Sequence, residues 1–508
     1  MNIITIARKK NGSNNNPETI GVYWFMHLSK SQKQNALNYL ILLVLIYFVV
    51  FAKLGDFPFR FWDESMFAVN AYEMEKNGNL MVPFFDNEVD LRNTKPLLLT
   101  WIQVGFIKLF GFSELTMRLP SAIAVSASLL ALFSFLKRQV DLRFAWISSL
   151  ILLTSTGYIG LHTGRTGDAD ALFSFFILMM SLQFANWMLN NKGLNLLLCF
   201  IFLSLAVLTK SFAAFLWLPG LLLTALLVDK SRFIRAFKIS HFYVGLFVLI
   251  ASLGVVFGIR ELYQPGYINL ALSNDASRVL LNADNHQQGW DFYLEQIFYH
   301  RFLFWSIPFV IGLILIQKIL KPELKKLATI SILLLTSYFI LISISTTKLF
   351  WYDMPLYPFL ACVAAIPIYV LFSQFFEVSS GSKYFAALIL IFIIPYRKMF
   401  FESQSHKMPY GDRVTEMTSL YLHHQTKQNL EENITVFHYG YAGSALCYTY
   451  MYADQGKELK IKYEPQFSLG EKVFVSHENL IQVLNSKYET HTLETFETGV
   501  LVNIVSLK

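Results

Sequence analysis

Cysteine is scarce in this chain: Cys199, Cys362 and Cys447 are its three cysteines in 508 residues. They are too few and too scattered for a disulfide framework or a metal knuckle, and the first two fall inside apolar runs, which argues against redox chemistry. Charge is scarce as well. Only 15% of the residues are charged, against about 25% in soluble domains. No internal repeat is present, and no low-complexity run beyond Asn14-Asn15-Asn16. The net charge of +7 sits in short connections between apolar stretches, so it describes topology rather than a nucleic-acid-binding face.

What the chain has in abundance is apolar surface. The hydrophobic share is 54%, phenylalanine numbers 47 and the mean hydropathy is +0.44. A hydrocarbon core of about 30 Å takes roughly 20 helical residues, and stretches of that order occur near 36–55, 117–136, 144–162, 171–189, 194–209, 211–228, 241–259, 302–317, 327–346, 351–373 and 383–400. The expected fold class is therefore an all-α polytopic membrane protein of about eleven transmembrane helices, in a range of about 10–13. The polar stretch before the first span, with Arg8, Lys9, Lys10, Lys30 and Lys33, is too long and too rich in asparagine for a signal n-region; residues 1–35 read as a cytoplasmic tail.

Counting connections from that tail, those expected inside are 137–143, 190–193, 229–240, 318–326 and 374–382. The first four carry Lys137, Arg138, Arg143, Lys192, Lys230, Arg232, Arg235, Lys238, Lys318, Lys321, Lys325 and Lys326, a positive-inside bias. The outward connections differ in kind. Segment 56–116 is long and contains amphipathic pieces at 63–77 and 95–111, which suit helices lying along the membrane, although a deeper placement would make 95–111 a span. Segment 163–170 is acidic, and 260–301 is long and polar. After residue 400 the composition turns ordinary, with a helix near 413–426 and β-runs at 434–438 and 472–475, so 401–508 reads as a small extracytoplasmic α/β domain. Its turn Tyr439–Gly440–Tyr441–Ala442–Gly443–Ser444 joins a strand to a helix; a phosphate nest is conceivable there, but a plain tight turn is the stronger reading.

Charged residues near membrane depth face cavities or one another, and here they gather on the outward side: Asp63, Glu64 and Lys95 in the first loop, Arg165, Asp168 and Asp170 in the second, then Lys210 and Lys348. Each has an ordinary explanation. The acidic residues stand where helices begin and could be caps; the lysines could snorkel, and Lys348 precedes the interfacial aromatic run Phe350-Trp351-Tyr352. Taken together, three lysines beside two acidic sites resemble a pocket for an anionic lipid head group.

At these residues the chain resembles the GT-C fold glycosyltransferases that use polyprenyl-phosphate sugars, above all the bacterial lipid A aminoarabinose transferases and the protein O-mannosyltransferases. The resemblance runs over roughly residues 36–375 and is carried by an ordered series: Phe61-Trp62-Asp63-Glu64, Asn79-Leu80-Met81-Val82-Pro83, Thr94-Lys95-Pro96-Leu97 with Trp101, Phe110-Gly111, Arg118-Leu119-Pro120-Ser121, Asp170 with Leu172 and Phe175-Phe176, Leu208-Thr209-Lys210, and Lys348 with Tyr352 and Pro355. It implies that Asp63 is the catalytic carboxylate, Asp170 the second acidic residue, Lys95 a ligand of the lipid phosphate, and that Lys348 and Tyr352 line the same cavity. Glu64, Arg165, Asp168 and Lys210 complete the candidate substrate-binding set. The family commonly carries Glu before the Lys-Pro pair where this chain has Thr94, which leaves a divalent cation and its ligands open.

The resulting expectation is a glycosyltransferase of the cytoplasmic membrane, working on its outer face. It would move a sugar from an undecaprenyl-phosphate-like donor to lipid A, another glycan or a protein by a single inverting displacement. The donor already carries its leaving group, so one carboxylate to deprotonate or orient the acceptor and several cations for the departing phosphate suffice. A transporter or flippase is the alternative, although its polar residues should trace a route through the membrane; a scaffold with a binding tail is a third. The residues name neither sugar nor acceptor.

Overall fold

The computed structural model describes residues 29–508 except 161, 281–285, 320, 376–380, 406–412, 429–432 and 498. Most of the expected N-terminal tail, including Arg8, Lys9 and Lys10, and the centre of the 374–382 connection lie outside the described residues. The chain forms two units, 1–48 and 49–508. The described part of the first is helix α1 (Lys30–Ile46), which opens on a capping box: Ser29 Oγ accepts from the Gln32 amide and Gln32 Oε1 accepts from the Ser29 amide.

Among the described residues, eight helical stretches are long and apolar enough to cross a membrane, or nine if the pair Phe292–Arg301 and Leu303–Lys318, bent by 115°, forms one span. That bent pair is one of three places where the count departs from the eleven expected from hydropathy. A second is the stretch expected at 144–162, where Leu142–Leu153 is a helix of 12 residues, about 18 Å long. The hydroxyls of Thr154 and Ser155 donate to the carbonyls of Leu150 and Ile151 and close it off. The third is Gly193–Ala236, a helical stretch of 44 residues that would measure about 66 Å if straight. Ser211, at φ 55° and ψ −139°, breaks it after Lys210.

The helices that frame the site are α2 (Asp63–Asn77), α3 (Leu98–Phe110), α4 (Glu114–Gln139), α5 (Ala169–Asn190), α6 (Gly193–Lys210), α7 (Ser240–Tyr263) and α8 (Tyr267–Leu280). At 13 residues, α3 is about 20 Å long, too short to span. Helix α4 starts at Ser113, whose Oγ accepts from the Thr116 amide, and ends on Lys137 and Arg138; α5 ends on Asn191 in the left-handed conformation. The basic connections meet one another at those far ends. Lys321 Nζ donates to Asp141 at 2.9 Å, Tyr384 to the Arg143 carbonyl at 2.9 Å, and Arg232 and Lys326 donate to the carbonyls of Trp187 at 2.8 Å and Met188 at 2.7 Å. The loops bearing Asp63, Arg165 and Asp170 gather at the opposite ends of the same helices.

The C-terminal segment builds a five-stranded mixed sheet from β1 (Asn433–Phe437), β2 (Glu458–Lys462), β3 (Lys472–Val475), β4 (Tyr488–Phe496) and β5 (Gly499–Leu507), in the order β2-β1-β3-β5-β4. Strand β1 is parallel to both neighbours, and β5 is antiparallel to both of its own. One apolar face of this segment closes within it, around Phe437, Val473, Val475 and Leu484; the other does not. Tyr421, Ile434, Val436, Leu446 and Tyr448 share one core with Phe59, Val69, Met74, Val104 and Met117 from the first loop and the start of α4. Tyr448 donates to Glu114 at 3.1 Å and accepts from the Phe59 amide at 3.1 Å, and its ring meets Phe59 edge-on.

One charged node ties these loops together. Glu64 is 1% exposed and accepts from Arg118 Nε at 2.7 Å and Nη2 at 2.9 Å, from the Arg60 amide at 2.7 Å and from the Gly167 amide at 2.8 Å. Arg118 spends its remaining donors on the carbonyls of Leu54, Phe57 and Pro58. Removing one partner strands the other charge in a low-dielectric interior, which costs about 3–5 kcal/mol. Arg118→Met should therefore lower the melting temperature of the detergent-solubilised protein by several degrees or prevent its accumulation; an unchanged melting curve would show that the node does not hold the loops.

Candidate functional site

The loops around this node leave a cavity of about 670 Å³, lined by Asp63, Lys95, Asp170, Lys210, Arg278 and Tyr352 among others. Asp63 is the first residue of α2 and follows Trp62, which sits at φ 72° and ψ −110°. A side chain in that region costs about 1–3 kcal/mol; the Trp62 carbonyl is held there by Ser65 Oγ at 3.0 Å and the Tyr441 hydroxyl at 3.1 Å. Glu64, buried beneath, anchors the turn, so Asp63 faces the cavity from a fixed helix start.

Lys95 Nζ lies 3.6 Å from Asp63 Oδ2. The Lys95 loop owes its shape to two helices whose contribution the sequence did not disclose. Arg260 at the end of α7 donates to the carbonyls of Lys95 at 2.6 Å and Asn93 at 2.7 Å, while Tyr267 and Asn274 of α8 donate to the Thr94 carbonyl at 3.0 Å and hydroxyl at 2.6 Å. Opposite, Lys210 pairs with Asp170 and lies 4.7 Å from the centre of the Tyr352 ring, whose hydroxyl accepts from Arg278 Nη1 at 3.0 Å. The break at Ser211 leaves Lys210 at a helix end, where its ammonium reaches the cavity.

Burial is the largest influence on the Asp63 carboxyl and opposes its ionisation. The charges of Lys95, His162, Arg278 and Lys210 outweigh burial and hold its pKa below the ordinary aspartate value. His162 is pushed the other way. Burial disfavours its cation, but Asp168, Asp63 and Asp170 prevail and raise its pKa. Its Nδ1 is 3.3 Å from Asp168 Oδ2, and its ring stacks on Trp351 at 4.0 Å. Asp63, His162 and Asp168 each place one ligand-capable atom within 4.8 Å of the others', and beyond the His162 ion pair neither buried Asp168 oxygen has a hydrogen-bond partner among the described residues. That donor set suits a divalent cation. Asp168 stands at the N-cap of α5, but its side chain makes no capping hydrogen bond, so capping does not explain it.

Of the candidate residues, the fold brings Asp63, Lys95, Asp170, Lys210 and Tyr352 to one cavity and Asp168 to its edge. Three lie elsewhere. Glu64 is consumed by Arg118. Arg165 donates to the carbonyls of Val49, Val50 and Ala52 and lines a second cavity with Arg60 and Arg301; a guanidinium, with five donors in a planar fork, can collect three free carbonyls at a helix end. Lys348 donates to the carbonyls of Ser345 at 2.6 Å and Gln288 at 3.1 Å, closing a loop over a separate hollow with Trp290. His162, Arg278 and Tyr441 join the site without having been expected. His162 lies at the edge of an apolar run beside an acidic loop, a position that could have drawn notice; Arg278 and Tyr441 carry no such signal. The turn at 439–444 holds Tyr441 over Trp62, ring centres 4.8 Å apart, and a Cβ at Gly443 would come within 2.3 Å of the Tyr441 hydroxyl. The turn serves that ring.

A multi-pass helical protein with a one-sided, charged cavity and a small sheet packed on its first loop is the architecture of the GT-C fold, and the comparisons bear this out. Over 91% of its length the chain superposes on 97% of ArnT from Cupriavidus metallidurans bound to undecaprenyl phosphate, with a TM-score of 0.68 at 14% identity. Residues 94–257 match the family described as dolichyl-phosphate-mannose-protein mannosyltransferase. An uncharacterized protein of Aquifex aeolicus (strain VF5) is 24% identical over 331 residues, 65% of this chain and 63% of its own length. YycA of Bacillus subtilis (strain 168), named as a mannosyltransferase candidate, is 27% identical over 152 residues, 30% of this chain and 22% of its own. The chain thus spans less than two thirds of the length of these sequence relatives.

The histidine offers a direct check on the electrostatics. Its titration, followed by NMR of the labelled ring, should fall above the ordinary histidine value of about 6.5. Asp168→Asn should bring it down, and Asp63→Asn should do so by a smaller amount; a His162 titration that ignores both substitutions would contradict the arrangement.

Proposed function

We propose that this protein is a glycosyltransferase that takes a sugar from a polyprenyl-phosphate donor and delivers it to an acceptor hydroxyl or amine on the outer face of the cytoplasmic membrane. The observation that carries the reading is the opposition, in one cavity, of the Asp63 carboxylate and a set of cations, Lys95, Lys210 and Arg278. ArnT, which shares the fold, is described as bound to undecaprenyl phosphate, and the family match names dolichyl-phosphate mannose; both support a lipid-phosphate donor. The basic connections gathered at the far helix ends support an outward-facing cavity.

The acceptor enters beside Asp63, which the surrounding cations keep ionised; the carboxylate orients the acceptor and takes its proton as the acceptor atom closes on the anomeric carbon. The bond from that carbon to the phosphate oxygen breaks as the new one forms, inverting the centre. The electron pair leaves with the polyprenyl phosphate, whose growing charge falls among Lys95, Lys210 and Arg278. Tyr352, held by Arg278, shapes the wall against which the phosphate rests. Asp63, His162 and Asp168 are the residues that would hold a divalent cation, and when bound it would add fixed positive charge beside the reacting groups.

Two measurements test this. Asp63→Asn should reduce transfer from an undecaprenyl-phosphoryl sugar by at least about 100-fold while undecaprenyl phosphate still binds; near-normal transfer would remove Asp63 from the chemistry. For the cation, elemental analysis and equilibrium dialysis with Mn²⁺ or Zn²⁺ should find one equivalent on the purified protein and a large loss in His162→Ala. Equal metal content in both would discard that ligand set.

A further inference from the structure

The wall of the cavity formed by α8 carries a carboxylate that the scheme above leaves idle. Asp275 lines the cavity, and its Oδ2 is buried with no hydrogen-bond partner among the described residues. Burying an unsatisfied carboxylate oxygen is costly, and proteins keep such atoms where a ligand supplies the missing donor. The placement is rigid. Asn274, the preceding residue, donates to the Thr94 hydroxyl at 2.6 Å, and Ser345 Oγ donates to the Arg278 carbonyl at 3.1 Å, so α8 is pinned on both sides of Asp275. The Ser211 hydroxyl and the Phe212 amide, at the break after Lys210, stabilise its charge, and Arg278 and Lys95 are within electrostatic reach.

Those last two cations are among the groups placed around the departing phosphate. A sugar joined to a phosphate held by Lys95 and Arg278 must lie in the same cavity, which Asp275 lines with them. We infer that Asp275 is a specificity-determining residue that accepts a hydrogen bond from a hydroxyl or amino substituent of the sugar being transferred. This deepens the glycosyl-transfer reading and rests on it. A site built to receive such a donor rejects a ligand lacking it, because the buried oxygen stays unpaired. Burial, the largest influence on this carboxyl, raises its pKa, and the neighbouring donors and cations only partly offset it; a sugar donor would restore the solvation that burial removed.

The test compares two probes on the full-length protein in nanodiscs, undecaprenyl phosphate and undecaprenyl-phosphoryl mannose, without acceptor. The wild type should bind the mannosyl lipid at least ten-fold more tightly than the bare phosphate. Asp275→Asn and Asp275→Ala should erase that difference without weakening affinity for the bare phosphate, which also certifies that the variants are folded. Lys95→Ala should weaken both probes together. If the wild type binds both lipids equally, or if the two Asp275 variants keep the preference, the inference is wrong although the lipid-phosphate reading survives. If neither lipid binds the wild type, the lipid-phosphate reading itself fails.

Discussion

The buried Glu64–Arg118 pair is the constraint on which the site depends. Two charges in a low-dielectric interior are tolerable only when every donor and acceptor is met, and here meeting them requires the strand of chain before α2, the start of α4 and the second loop at Gly167 to converge. Once they do, Asp63 has no freedom left: it is the neighbour of an immobilised residue at the first turn of a helix, behind a strained Trp62. The fixed position of Asp63 is inherited from a structural ion pair one residue away. Like charges and opposite charges then sort themselves around Asp63, with Lys95 on one side and His162 and Asp168 on the other.

A second consequence concerns the C-terminal segment. Its sheet carries the pattern of an independent α/β domain, yet the apolar face of that sheet and its helices is completed by Phe59, Val69, Val104 and Met117. Tyr448 and His423 both reach Glu114 at the head of α4. The segment acts as the outer half of the first loop's core and delivers Tyr441 to the cavity rim. Truncation after residue 400 would expose that core, so a loss of activity on truncation would report collapse of the site as readily as loss of a binding partner.

Much of the site was legible because its residues violate the membrane's demand for apolar side chains. Asp63, Lys95, Asp170 and Lys210 stand out against their surroundings, and the cost of charge at membrane depth makes each a candidate for a cavity. The same criterion picked out Glu64, Arg165 and Lys348, which the fold engages away from that cavity, since a charge can also satisfy itself on backbone carbonyls or a buried partner, and composition does not distinguish the two outcomes. It also passed over Arg260, Arg278 and Asp275, which sit in or beside the long polar connection where charge is unremarked. Span counting met a similar limit. Hydropathy registers an apolar run but not the Thr154 and Ser155 hydroxyls that end Leu142–Leu153 early, nor the backbone turn at Ser211.

By itself the sequence determined that the chain is helical and membrane-embedded, that its basic connections lie on one side, and that acids and lysines cluster on the other. These properties follow from transfer free energies of individual side chains, which are local and additive. Only the tertiary structure decided which charges pair with one another and which face open space, because that depends on distances between segments far apart in the chain, 40 residues for Lys210 and Asp170 and 54 for Arg118 and Glu64. Lys210 meeting Asp170, Arg118 meeting Glu64 and Asp275 keeping one buried oxygen unpaired among the described residues are facts of convergence, and the chemistry proposed for this protein rests on them.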